Sequence, residues 1–166
     1  QATMGDVEDY DFSRGDAGAS HTQGGEAGQI RVGGYMCIKG RACKVISVTT
    51  SKTGKHGHAK CHFTAQDIFN GKKCEELIPS THAADIPFVV RKDFSLLDIA
   101  DDDFLTMCDD AGETRADVGM PSYPDGFAHE IREKFADEEK TWTVTLQTAM
   151  GIEMIIAIKE DVAAAK

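Results

Sequence analysis

The sequence predicts a mainly β protein of two barrel-like modules in series, and three observations point there. Short alternating or β-branched runs recur from Tyr35 onward, separated by Gly, Asn or Pro. One segment alone, residues 126–139, has helical spacing. The net charge of −10 is also unevenly spread: residues 1–27 hold one arginine and six acids, residues 28–92 eleven Lys/Arg and four acids, and residues 93–166 six Lys/Arg and eighteen acids. Such a division predicts an acidic tail over 1–27, a basic module over 28–92 and an acidic module over 93–166.

The elements follow in order. Residues 1–27 are rich in Gly, Asp, Ala and Ser and almost free of aliphatic side chains, so they read as a disordered tail. YMCIKG and RACKVISVTT are two strands parted at Lys39-Gly40. In the second, Ile46 and Val48 alternate with Ser47 and Thr49. HAKCHFTAQDIF places Cys61, Phe63 and Ala65 on one face. The turn NGKK follows, Asn-Gly being a strong hairpin signal, and then the strand CEELIPS. These strands suit a small β-barrel.

In the second module FSLLDIA and FLTMCDD are strands, with DAGE as a turn. Phe127, Ile131 and Phe135 fall at i, i+4, i+8 and predict one apolar helical stripe, with Asp125 as N-cap. WTVTLQT should turn Trp142, Val144 and Leu146 inward and Thr143, Thr145 and Gln147 outward; IEMIIAI is a last strand. Strands with one helix, in this order, fit an oligonucleotide-binding-type barrel.

Several classes are disfavoured. The longest clean apolar run, Met154 to Ile158, is far short of the roughly 20 residues a membrane span needs, so no membrane partner is expected. The acidic start lacks the apolar stretch of a secretory signal. Five cysteines, Cys37, Cys43, Cys61, Cys74 and Cys108, form no C-x-x-C pair and lie mostly in strands, which predicts reduced thiols in a cytoplasmic protein. Cys37 or Cys61, if exposed, is open to contacts with other chains.

The segment SKTGKHGHAK, residues 51–60, breaks the strand pattern with three lysines, two histidines and two glycines and no acid. Falling between two strands, it reads as a hairpin tip in which Gly54 and Gly57 bracket Lys55 and His56. A metal site drawing on His56, His58, Cys61 and His62 is opposed by Lys52, Lys55 and Lys60, and Cys61 lies across the strand from His58 and His62. A phosphate loop fails because Thr49 stands where its first glycine belongs and His56 where its hydroxyl belongs. Lys55 as a nucleophile needs an apolar pocket that a hairpin tip lacks. A plain solvated loop leaves the one-signed charge of tip and flanks unexplained. What stands is a lysine presented to a partner.

SKTGKHGHAK, with GDAGAS, IKGRACKV, DIFNGKK, IPSTH, DAGETRAD and LQTAMG, resembles the eukaryotic translation initiation factor 5A family, from about residue 10 to about residue 160. Ala42 departs from the family's GRPCKV, where proline is usual, and a looser turn is expected there. The resemblance implies an SH3-like barrel followed by an oligonucleotide-binding (OB) fold. It implies that Lys55 is converted to hypusine: deoxyhypusine synthase adds an aminobutyl group from spermidine, and deoxyhypusine hydroxylase then adds a hydroxyl. No other cofactor, no metal and no enzymatic activity of the chain's own are implied. Family members bind the ribosome near its exit site, meet rRNA and peptidyl-tRNA, and promote peptide bond formation at stalled sequences such as consecutive prolines. Ser51, Lys52, Thr53, Gly54, His56, Gly57, His58 and Lys60 then form the loop that the ribosome and the modifying enzymes read. A different class, a constitutive RNA-binding module acting through an unmodified basic loop, stays open, as does a zinc-stabilised interaction domain. The acidic module, at −12, is expected to meet basic partners more than bare RNA.

Overall fold

Eleven strands and one α-helix are present in the computed structural model of the protein, which describes residues 20–52 and 59–161. Two compact units result. The first holds the described residues up to Ala65, with Glu75–Phe88; the second holds Gln66–Cys74 and the described residues from Val89.

In the first unit β1 (Thr22–Glu26) is followed by a 3-10 turn (Ala27–Gln29), β2 (Tyr35–Ile38) and β3 (Arg41–Lys52). Then come β4 (Ala59–Asp67) and β5 (Lys73–Pro79), whose ends within 66–74 fall in the second unit, and β6 (Ala83–Pro87). Hydrogen bonding gives a four-stranded sheet in the order β2-β3-β4-β5 and a two-stranded sheet β1-β6. The turn between β2 and β3 is Lys39-Gly40, with φ of 52° and 78°. Positive φ at both central positions is what a two-residue type I′ hairpin needs. It sets the register Cys37↔Ala42 and Ile38↔Arg41. Ala42 is buried within that ladder.

The core of this unit is Met36, Ile38, Cys43, Val45, Cys61, Phe63 and Ala65, all almost completely buried. The alternation of β4 is as the sequence predicts. That of β3 is not: Val45 is buried and Ile46 is 44% exposed. Val45 is locked inward because its backbone pairs with Gly33 and Gly34 (Val45 N→Gly34 O 2.8 Å, Gly33 N→Val45 O 2.9 Å), so Ile46 takes the outer face.

Residues 22–27, expected in the disordered tail, are part of this unit. β1 pairs with β6 from Thr22↔Pro87 to Glu26↔Ala83. Its sequence, TQGGE, offers little apolar surface, and the strand is held by backbone pairing. Gly25 leaves room for Ile86, whose Cγ1 lies 2.9 Å from where a Cβ would stand. Ala27, with no exposed surface, donates to His82 O at 3.0 Å.

The second unit contains β7 (Val90–Ile99), β8 (Phe104–Cys108), β9 (Thr114–Gly119), α1 (Phe127–Phe135), β10 (Trp142–Ala149) and β11 (Ile152–Glu160). The sheet order is β9-β8-β7-β10-β11. β7 starts at Val90, so residues 90–92 belong to this sheet and not to the basic module in which the sequence placed them. Phe94, Leu96, Leu105, Met107, Val144, Leu146 and Ile155 fill the core, and α1 lays Phe127 and Ile131 on it with Phe135 half-buried. The helix is shorter than the predicted segment. Its N-cap is Gly126 at φ 84°, without a side-chain cap, because the left-handed turn into the helix falls one residue after Asp125.

Gln147, predicted outward, is 3% exposed. The β10–β11 register slips between Thr145 and Leu146, and Arg91 Nε donates to Gln147 Oε1 at 3.0 Å, so its buried amide has a charged partner. β10 and β11 are joined by Met150-Gly151, with φ of 50° and 77°, a second type I′ turn.

The five cysteines are thiols outside any disulfide; Cys43 and Cys61 are buried and Cys37, Cys74 and Cys108 half-buried. Cys61 packs inside the unit and is therefore not the exposed contact residue considered from sequence.

Candidate functional site

The site predicted from sequence lies where β3 ends and β4 begins. β3 is unusually long, because a β-branched run, Val48-Thr49-Thr50, continues it beyond the buried core positions to Lys52. β3 and β4 are hydrogen-bonded neighbours joined by residues 53–58. A connection that short is possible only between antiparallel strands, since a parallel pair needs a crossover of about a dozen residues or more. The two strands therefore form a hairpin whose two arms run out side by side.

The arms are exposed at their ends and anchored below. Ser51, Lys52 and Lys60 are exposed. One residue further down, Cys61 is 3% exposed, with its Sγ 4.0 Å from Thr50 Oγ1 of the other arm. Ala59 O accepts from Ser80 N at 2.9 Å, and Phe63, with no exposed surface, fastens β4 to the core. Thr53, Gly54, Lys55, His56, Gly57 and His58 lie outside the described residues. Of the predicted site residues, the structure thus brings together Ser51, Lys52 and Lys60, at the two arm ends.

Cys61 and His62 point to opposite faces of β4: the thiol inward, the imidazole outward. His62 Nε2 lies 2.8 Å from Glu75 Oε1 on β5. Sequence reasoning missed this carboxylate, which lies outside the acid-free segment 51–60. The strand alternation of CEELIPS, folded back through the turn after Asp67, held the signal: it sets Glu75 on the outward face with His62. Among the described residues, no three His, Cys, Asp or Glu side chains are grouped so as to hold a metal ion. No helix among them is long and apolar enough to cross a membrane.

The turn under the far end of β4 is built by Asp67, a buried carboxylate. Its Oδ1 accepts from Phe69 N at 2.8 Å and Asn70 N at 3.3 Å, and Gly71, at φ 74°, completes the reversal. The turn is wider than the two-residue Asn-Gly hairpin, since Asp67 N bonds to Lys72 O at 2.8 Å.

A mainly β chain with a hairpin whose exposed arm ends carry Lys52 and Lys60, and an acidic second unit, has the two-module build the sequence predicts. Comparisons with known proteins agree. Residues 20–82 match the family described as "Translation initiation factor 5A-like, N-terminal". Residues 88–159 match "Eukaryotic elongation factor 5A hypusine, DNA-binding OB fold". Eukaryotic translation initiation factor 5A-3 of Solanum tuberosum is 48% identical over 157 residues, covering 95% of this chain and 97% of that one. The factor 5A of Zea mays is 48% identical over 158 residues, covering 95% and 98%. Among solved structures, a factor 5A family protein of Naegleria fowleri superposes with TM-score 0.78 at 40% identity over 84% of this chain and 99% of that one. Factor 5A of Methanococcus jannaschii gives 0.64 at 26% identity over 84% and 96%. The chain belongs to the translation initiation factor 5A family, with an SH3-like first domain and an OB-fold second domain.

Proposed function

We propose that this translation factor acts on the ribosome through a hypusine carried at Lys55. It binds near the exit site and promotes peptide bond formation at stalled sequences such as consecutive prolines. The observation that carries the reading is family membership across both domains, together with a hairpin whose last described residues, Lys52 and Lys60, are exposed cations on adjacent arms.

The chemistry follows from the modification. The aminobutyl extension lengthens the lysine arm, and adds a second cationic amine and a hydroxyl. These donors suit phosphate and ribose oxygens of rRNA and peptidyl-tRNA. Lys52 and Lys60 supply sequence-independent attraction to the RNA backbone. Ser51, Thr53, Gly54, His56, Gly57 and His58 complete the surface that deoxyhypusine synthase and its hydroxylase partner read, with the glycines admitting close approach. The protein is then a substrate of those enzymes and no enzyme itself. Its effect is to hold the tRNA in a productive geometry for the ribosome's own reaction. Such a role places it in the cytoplasm.

The test is Lys55→Arg, which keeps the charge but cannot accept the aminobutyl group. The variant should fold as the parent does, yet fail to restore translation of a polyproline reporter in cells depleted of the factor. Peptide mass mapping of natively sourced parent should place the added mass on Lys55. Full activity of the Arg variant, or of unmodified protein, would refute the reading and favour a loop acting by charge alone.

A further inference from the structure

We propose that the second domain carries a docking groove for a basic peptide segment of a protein partner, centred on Leu97. The groove, about 580 Å³, is lined by Leu97, Asp98, Phe135, Asp137, Glu138 and Lys140, together with Ala136. Three independent features converge on it.

The first is a β-bulge. In the β7–β8 ladder Met107 pairs with Leu96 and Thr106 with Asp98, so Leu97 is the extra residue. Bulges re-aim side chains. Leu96 stays in the core at 6% exposure and Leu97 faces outward at 50%, as alternation from the buried Phe94 sets it; the bulge then leaves Asp98 on the same outer side.

The second is the end of α1. The helix stops at Phe135, and Asp137-Glu138-Glu139 follow at once. Carboxylates at the negative end of a helix are electrostatically unfavourable. Local rules broken without structural gain tend to mark functional surfaces. Asp137 also serves the fold, its carboxylate accepting from Glu139 N at 3.1 Å and its backbone oxygen from Trp142 Nε1 at 3.5 Å, whereas the next residue, Glu138, lines the groove and is exposed.

The third is the charge of the rim. Asp98, Asp137 and Glu138 surround an apolar floor of Leu97, Phe135 and Ala136. The one cation there, Lys140, is engaged by Asp137 at 3.9 Å and Glu160 at 3.7 Å. Residues 93–166 carry −12, which repels phosphate backbones. The complementary ligand is a segment with a bulky aliphatic side chain to cover Leu97 and flanking Lys or Arg to meet the rim. The −12 charge expected to seek basic partners thereby has a location.

The experiment measures fluorescence anisotropy of the full chain with a labelled peptide in which two leucines are flanked by lysines and arginines. Binding should weaken about tenfold or more with Leu97→Ser, as for loss of a central apolar contact, and by a similar factor with Glu138→Lys. The same peptide with serines for leucines should bind the parent more weakly than the original. Leu97 is solvent-facing, so the thermal midpoint of Leu97→Ser should stay near the parent's and exclude unfolding as the cause. The proposal is overturned if the parent does not bind, if either substitution leaves affinity unchanged, or if the leucine-free peptide binds equally well. It is likewise overturned if light scattering shows that Leu97 instead joins two copies of the chain, or if a single-stranded RNA oligomer displaces the peptide from the parent.

Discussion

Arg115 of β9 and Glu153 of β11 meet through two parallel hydrogen bonds, Nη1–Oε2 at 3.0 Å and Nη2–Oε1 at 2.8 Å. The two strands stand at opposite ends of the five-stranded order, so the pair ties the first strand of the sheet to the last. Asp117 completes the cluster, accepting from Arg115 Nε and Nη2 at 2.9 Å each. The shared guanidinium holds both carboxyls below the usual carboxylate range and raises the pKa of Arg115.

This arrangement predicts how stability depends on acid. Asp93 is also lowered, first by the Thr145 hydroxyl and then by Lys159; Asp109 is lowered first by the Glu113 backbone N–H and then by Lys92. For each of the four carboxyls the folded pKa lies below the unfolded one, which is about 4. Their stabilising effect is complete above that value and is lost as pH falls through the folded values. Urea midpoints should therefore vary little in these groups' contribution between pH 7 and about pH 5, and drop below about pH 4. Glu153→Gln should cost about 0.5–1 kcal/mol at pH 7, since the pair is partly exposed, and should reduce the acid drop. An unchanged acid profile in the variant would show that the Arg115 cluster does not contribute.

A second prediction concerns Asp67. Its carboxylate is 3% exposed and accepts the Phe69 and Asn70 backbone N–H groups. Asp67→Ala removes that acceptor and leaves a buried donor unpaired, at a cost of about 1–3 kcal/mol. Asp67→Asn keeps an oxygen in place and should cost less. Hydrogen exchange at the Phe69 amide should quicken in the Ala variant ahead of global unfolding. Equal stability of Ala and Asn variants would show that the turn is held by its backbone bonds alone.

The parts of this fold that were legible in the sequence are those where side-chain alternation and burial coincide. Cys61, Phe63 and Ala65 face inward as their spacing says, and Phe127 and Ile131 form the buried helical stripe. What escaped reading depends on backbone pairing. TQGGE has no apolar pattern because its pairing to β6 and the space over Gly25 hold it in place. Val45 displaces Ile46 from the core through bonds to Gly33 and Gly34. Gln147 lies inward where its amide oxygen accepts from Arg91 Nε, a partner set by strand pairing across 56 residues. At the candidate site Lys52 and Lys60 are exposed at the arm ends, while Lys55 itself lies outside the described residues. The His62–Glu75 pair was missed because its partners are set by strand register, which no local motif announces.

The last prediction separates two adjacent leucines that composition and hydropathy treat alike. A regular strand puts Leu96 and Leu97 on opposite faces, but a half-covered barrel wall could bury either one. The bulge in the β7–β8 ladder decides: it keeps Leu96 against Met107 and lifts Leu97 out of the pairing. Leu96→Ala should then open a cavity among Phe94, Leu105 and Val144, its companions in the core cluster, and cost about 2–5 kcal/mol. Leu97→Ala should change stability by no more than about 0.5 kcal/mol, the range of an exposed substitution. Chemical denaturation of the two variants side by side is the measurement. A reversed order would mean that the strand runs without the bulge and that Leu97 is the core residue, which would also remove the floor of the groove on this domain.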